Sequence, residues 1–213
     1  MIAAQIKTFA AKLPKQVTLV AVSKTKPNAD LLIAYEAGQR DFGENKVQEL
    51  CQKAESLPND IRWHMIGHLQ RNKVKYIAAF VHLIHGVDSE RLLNEINKQG
   101  AKNNRVIDVL IQIHIAEEAT KFGFSYDEAA KLFEGNNDLK HVNIVGLMAM
   151  ATFTNDESQI KREFSTLSAF FDQWKEKRSL NVLSMGMSND YNIAIAEGST
   201  MIRVGSLIFG SRN

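Results

Sequence analysis

The chain has 213 residues, 45% of them hydrophobic and 23% charged, with 12 Gly and 3 Pro, a composition that excludes disorder and low-complexity repeats and permits a full buried core. Its 26 basic and 24 acidic residues leave a formal charge of +2, too evenly balanced for the electrostatic footprint of a nucleic-acid or membrane-surface binder. Any anion site must therefore be local.

The length suits one domain, 1–213, better than two. The single cysteine, Cys51, cannot pair within the chain, and no Cys pair offers zinc spacing, which points to a reducing, cytoplasmic setting. No run approaches the ~18 to 20 apolar residues needed to span a bilayer. The richest, Tyr76 to Val87, contains His82 and His85. In the opening MIAAQIKTFAAKLPKQ, Lys7 and Lys12 interrupt the apolar residues, so it reads as an amphipathic helix and not as a signal peptide.

From there the chain alternates apolar, β-branched runs with polar stretches of helical spacing. Val17 to Ser23 reads as a buried strand, and Asn28 to Ala37 as a helix stopped by Gly38. Further strands are expected at Arg40 to Gly43, Arg62 to Ile66, Leu83 to Val87, Val106 to Ile115, Val142 to Met148, Val182 to Met187 and Met201 to Phe209. Helices are expected at Lys46 to Ser56, Lys73 to Phe80, Ser89 to Gln99, Ser125 to Phe133, Glu157 to Lys177 and Asp190 to Glu197, with Ser89 and Ser125 as N-caps. About eight strands in strict βα alternation favour a closed parallel barrel of the (β/α)8 type over an open sheet. Such a barrel needs one more outer helix than the strands are followed by, and the N-terminal helix can cover that gap.

In such a barrel the reactive face is made by the C-terminal ends of the strands. Lys24 directly follows TLVAVS. Apolar surroundings disfavour an ammonium there, leaving an amine suited to attack an aldehyde; a solvated rim lysine is the bland alternative. The end of the chain offers an anion site, because barrels often bind phosphate at the loops after strands seven and eight. Gly186 allows close backbone approach, Ser188 offers a hydroxyl where the next helix begins, and Gly205 and Ser206 supply N–H groups with a second hydroxyl. Taken singly, each reads better as a helix cap or a strand glycine, and it is their conjunction on adjacent strands that favours phosphate. Arg203 shares the face of Gly205 by alternation, where it can hold an anion, donate to a ring nitrogen or pair with an acid.

A metal site is not expected. His64 and His68 flank Met-Ile-Gly on a strand that runs into a loop, and His82, His85, His114 and His141 have no acids at ligand spacing.

The segments VAVSKTKP, FGENKVQE, WHMIGHLQRNK, VDS, KFGF, GLMAMA, SMGMSND and RVGSLIFG occur in that order and span nearly the whole chain. In them the chain resembles the pyridoxal phosphate homeostasis protein family, single-barrel relatives of the N-terminal domain of alanine racemase. The resemblance implies that Lys24 holds pyridoxal 5′-phosphate as a Schiff base, that the phosphate lies against Ser188, Gly205 and Ser206, and that Arg203 faces the pyridine nitrogen. An arginine keeps its proton, so that nitrogen would stay largely unprotonated and the cofactor would be a weak electron sink. Asn45 and His64 match positions that line the pocket. His68 stands where many members have Pro, which should loosen the loop after the third strand.

The function implied is a carrier that holds and releases the cofactor and so influences vitamin B6 and amino-acid and keto-acid balance, with no catalytic residues and no turnover. Apoenzymes would be recipients, nucleic acid and membranes are not expected as partners, and a monomer is expected. No second domain is expected to bring a tyrosine to the opposite face of the cofactor. The alternatives are an amino-acid racemase or a class I aldolase acting through Lys24.

Overall fold

The computed structural model describes residues 1–117, 122–135 and 139–210. Lys121, which opens the KFGF segment, lies outside the described residues. The chain begins with α1 (Ile2–Lys12) and continues through β1 (Thr18–Val22), α2 (Asn28–Glu36), β2 (Asp41–Glu44), α3 (Val47–Ser56) and β3 (Arg62–Met65). A 3-10 turn (Arg71–Lys73) leads into α4 (Val74–Ile77), followed by β4 (Leu83–Val87), α5 (Glu90–Lys102), β5 (Ile107–Gln112) and α6 (Tyr126–Glu134). The last units are β6 (Val142–Met148), α7 (Glu157–Arg178), β7 (Val182–Ser184), α8 (Tyr191–Ala196), β8 (Met201–Val204) and α9 (Ser206–Phe209). All strand pairs are parallel, and β8 returns to β1 with Met201 opposite Thr18, closing the expected barrel.

Local signals account for several boundaries. Ser125 and Glu128 form a reciprocal capping box at α6, and the Ser89 side chain accepts from the Leu92 N–H at α5. Asp156 caps α7 by accepting from the N–H groups of Ser158 and Gln159. The chain leaves α2 through Gly38, whose φ of +103° is one that glycine adopts without steric cost.

Most of the buried apolar side chains, among them Leu31, Phe42, Leu92, Phe164 and Ile202, form one layer between the barrel and its helices. A separate small cluster of Val20, Leu83, Leu110, Met148 and Met201 comes from five strands and fills part of the barrel interior. The N-terminal helix buries Ile6 and Phe9, and the Phe9 ring meets Tyr191 of α8 edge-on at 5.6 Å. It thereby covers the gap between the first and last outer helices. No helix among the described residues is long and apolar enough to cross a membrane.

Several elements are shorter than their sequence patterns, among them the seventh strand, which ends at Ser184 where the pattern ran to Met187. The eighth strand stops at Val204, because Gly205 turns the chain and the Phe209 N–H closes a helical turn on the Gly205 carbonyl at 2.9 Å. The fifth strand ends at Gln112, and Ile113 makes only an isolated bridge to Phe124. The fourth outer helix covers Val74–Ile77 and is preceded by the 3-10 turn.

Candidate functional site

The end of β1 is gripped from outside the barrel by α3. Lys53, buried to 5% exposure, donates to the Ser23 carbonyl, to Glu44 Oε1 and to Glu49 Oε1, each at 2.8 Å. Glu44 Oε1 also accepts from the Ser23 hydroxyl at 2.6 Å, while its Oε2 is buried without a hydrogen-bond partner. Burial pushes the Glu44 carboxyl above its ordinary range, with the Lys53 and Ser23 bonds working against it. On the far side of Lys24, Thr25 has a φ of +64°, a left-handed conformation that a β-branched residue seldom adopts. Its N–H donates to Glu49 Oε1 at 2.6 Å, a charge-assisted bond that offsets the strain. Both chain neighbours of the half-buried Lys24 are therefore fixed to one helix. By strand alternation from Val20 in the interior cluster, Lys24 lies on the inward side of the barrel mouth.

The loops after β7 and β8 meet at the same mouth. The Gly205 N–H donates to Ser188 Oγ at 3.3 Å. A Cβ on Gly205 would lie 3.1 Å from the Val22 carbonyl oxygen and 3.2 Å from Val22 Cβ, so the glycine sits against β1 two residues before Lys24. Gly186 has a φ of +95°, and a Cβ there would lie 2.6 Å from Ala194 Cβ, so its backbone touches α8 directly. Its carbonyl accepts from the Arg203 N–H at 3.0 Å. Asp190 Oδ1 accepts from the Met187 N–H and orders the turn that presents Ser188. Burial raises the Asp190 carboxyl, opposed by that bond and by the charge of Arg203. Ser206 follows as an exposed residue opening α9.

Arg203 points into the barrel, as alternation predicts, and is 4% exposed. It donates to Ser184 O at 2.9 Å, to Ser184 Oγ at 2.6 Å and to Ala149 O at 2.9 Å. A guanidinium has five N–H groups, so these three bonds leave two of them for other partners. Burial lowers its pKa to about 10, with Asp190 pulling the other way. The group stays cationic at any physiological pH.

Asn45, just past β2, is half-buried, and its backbone packs so closely on Gly67 that a Cβ there would lie 2.5 Å from the Asn45 carbonyl oxygen. His64 is fully buried, and both its ring nitrogens are engaged, with His85 Nε2 at 2.9 Å and Asp41 Oδ1 at 3.0 Å. Asp41 also takes a bidentate contact from Arg62. Burial would raise the Asp41 carboxyl, but the bonds from Arg62 and His64 prevail and hold it at about 2. His68 is held on two sides. Its Nδ1 lies 2.9 Å from Asp88 Oδ2, and its ring stacks on Phe122 with centroids 4.3 Å apart.

Linear spacing conceals one constellation. Asp41, His64 and His82 bring ligand-type atoms within 4.8 Å of one another, which corrects the expectation that these histidines meet no acid. They come from three successive strands or strand starts, so only strand alternation and register could have revealed them.

Comparison with known proteins bears on this barrel. A family model described as alanine racemase, N-terminal domain, matches residues 1–213. The pyridoxal phosphate homeostasis protein of Aquifex aeolicus is 40% identical over 197 residues, 91% of this chain and 86% of that protein. The protein of the same name from Escherichia coli is 37% identical over 214 residues, covering 97% and 90%. Among solved structures, PipY of Synechococcus elongatus with PLP bound is similar at 34% identity and a TM-score of 0.88, with 99% of this chain and 100% of that chain covered. An alanine racemase from Bartonella henselae shares the fold at 17% identity and a TM-score of 0.77, with this chain covering 58% of it.

Proposed function

The chain belongs to the alanine racemase N-terminal domain family, and from that footing we propose that it binds pyridoxal 5′-phosphate, holds it through Lys24, and serves vitamin B6 homeostasis and amino-acid and keto-acid balance without a turnover reaction of its own. The observation that carries this reading is the cradle at the barrel mouth. Ser188 and Gly205 meet there, and Gly205 lies against Val22, two residues from Lys24. A hydroxyl and a position with no Cβ suit a phosphate, and the lysine two residues beyond Val22 supplies the amine. The binding of PLP by a structure 34% identical to this chain supports the choice of ligand.

The residues then divide the work. Ser188, Gly205 and Ser206 hold the phosphate. Lys24 supplies the primary amine, kept in place by the anchoring of Ser23 and Thr25 to α3. Arg203 directs a remaining N–H at the ring nitrogen and, as a cation that keeps its proton, leaves that nitrogen unprotonated. Asn45 lines the wall. His64, with both nitrogens taken by protein, supports the floor and makes no direct polar contact. When bound, the cofactor supplies an aldehyde that condenses with a primary amine with loss of water. The protein acts in the cytoplasm as a monomer and passes the cofactor to apoenzymes.

Absorbance tests the reading. Protein loaded with pyridoxal 5′-phosphate should show a visible band that borohydride removes and that Lys24→Ala lacks. A colourless protein, or an undiminished band in Lys24→Ala, would overturn it. Multiple turnovers of Cα exchange when amino acids are incubated in deuterated water would instead make it an enzyme.

A further inference from the structure

A line of hydrogen bonds crosses the barrel interior from Arg203 to Asp41 and ends on the partly exposed Arg62. Arg203 donates to Ser184 Oγ at 2.6 Å, and Ser184 Oγ lies 3.2 Å from His85 Nδ1. His85 Nε2 lies 2.9 Å from His64 Nδ1, His64 Nε2 lies 3.0 Å from Asp41 Oδ1, and Arg62 closes the line on the same carboxylate. Five strands contribute, and Ser184, His85 and His64 are fully buried. Barrel interiors are usually filled by layers of branched apolar side chains, so a polar line through this one calls for a reason.

Its two ends fix its direction. A guanidinium only donates, so Ser184 Oγ accepts from Arg203 and its own proton is left to go to His85 Nδ1. A carboxylate only accepts, so His64 carries its proton on Nε2 and offers a bare Nδ1 to the Nε2–H of His85. Every link then has one donor and one acceptor, with both imidazoles in the Nε2–H form.

We propose that Ser184, His85 and His64 are positioning residues that anchor the Arg203 guanidinium so that it faces the ring nitrogen of bound pyridoxal 5′-phosphate, an inference that rests on the cofactor reading above. The charged and titratable groups around the line agree with it. His85 is faced by His64, His82 and Arg203, and burial, joined by the Arg203 charge, holds it well below its ordinary pKa. A proton on it would put a second buried cation beside Arg203. His64 is faced by Asp41, Arg62, His82 and His85. Asp41, His64 and His82 are not assigned as a metal site, because Arg62 already occupies both Asp41 oxygens and neutralises them.

Two measurements on the full chain test the proposal. Long-range nitrogen-15 NMR of the histidine rings, with no cofactor added, should find the neutral rings of His64 and His85 in the Nε2–H tautomer. An Nδ1–H form of either overturns the line. Titration with pyridoxal 5′-phosphate then compares variants. Ser184→Ala and His85→Phe should each weaken binding by about tenfold, as expected for one lost buried hydrogen bond to a charged network, and should shift the band of the bound cofactor. His85→Gln, whose amide can accept from Ser184 and donate to His64, should restore both to within about threefold. Ser184→Ala covers the case in which His85→Phe fails to fold. Wild-type uptake with unchanged affinity and band in Ser184→Ala overturns the positioning role alone; a wild-type protein that takes up no pyridoxal 5′-phosphate overturns the cofactor reading itself.

Discussion

Ser188 and Gly205 share one hydrogen bond, from the glycine N–H to the serine hydroxyl at 3.3 Å, and through it the loops after the last two strands close on each other. Both groups are small and both face the mouth. In Ser188→Ala the phosphate should lose one hydroxyl partner while the fold loses little: pyridoxal 5′-phosphate affinity should fall by about tenfold with stability changed by less than about 1 kcal/mol. Equilibrium titration and a thermal melt on the same sample check the two halves.

Gly186→Ala should act in the opposite sense. Its φ of +95° is strained for any residue with a Cβ, and that Cβ would lie 2.6 Å from Ala194 Cβ. Strain and overpacking together should cost on the order of 3 kcal/mol. Urea unfolding reads this directly, and a midpoint equal to wild type would mean that α8 is free to shift.

Acid should reveal Asp41. Its folded pKa of about 2 lies below the ordinary 3.8, so the native state favours the ionised form. That stability is fully present above pH ~4 and is lost as the pH falls through the folded value. The shift corresponds to about 2 kcal/mol. Comparing urea midpoints of wild type and Asp41→Asn from pH 5 to 2 should show the wild type losing its advantage across that window; parallel curves would contradict it.

His85 imposes a second dependence at milder pH. Its folded pKa lies well below its ordinary 6.5, so the native state binds the proton less readily than the unfolded chain does. Its contribution is complete above pH ~6.5 and falls as the pH drops below it, with a limiting slope of about 1.4 kcal/mol per pH unit. His85→Gln should flatten the stability profile between pH 6.5 and 5.

Much of the fold and part of the site could be read from the chain. Lys24 and Arg203 could be singled out because each is a polar residue on or directly after an apolar strand, where alternation says which way it points. Ser188 and Gly205 could be singled out because a hydroxyl and a glycine in adjacent βα loops suit an anion. The Asp41–His64–His85–Ser184 line could not, because its members come from different strands and their approach depends on register. The irregularity between Ile84 and Val87 in the β4–β5 pairing shows how little a local pattern says about that register. The grip of Lys53 on Ser23 was equally hidden, since a lysine in a helical stretch reads as a solvated residue until the helix is packed. Ser206–Phe209 folds as a helical turn where the pattern suggests strand, because an apolar run of that length suits strand and helix alike.

The closing pair of the barrel also has a consequence in time. Thr18 pairs with Met201, and Lys26 Nζ donates to the Phe209 carbonyl across a sequence separation of 183 residues. A finished barrel has no free strand edge, but β1 keeps one until β8 has been made, about 10 to 40 s later at ordinary rates of synthesis. Throughout that interval the unpaired edge of β1 is open to adventitious strand pairing. Closure by so distant a contact also makes folding slow relative to a helical bundle of the same size. The segment that bears Lys24 is thus made before the rest of the barrel strands and is the last to be sealed.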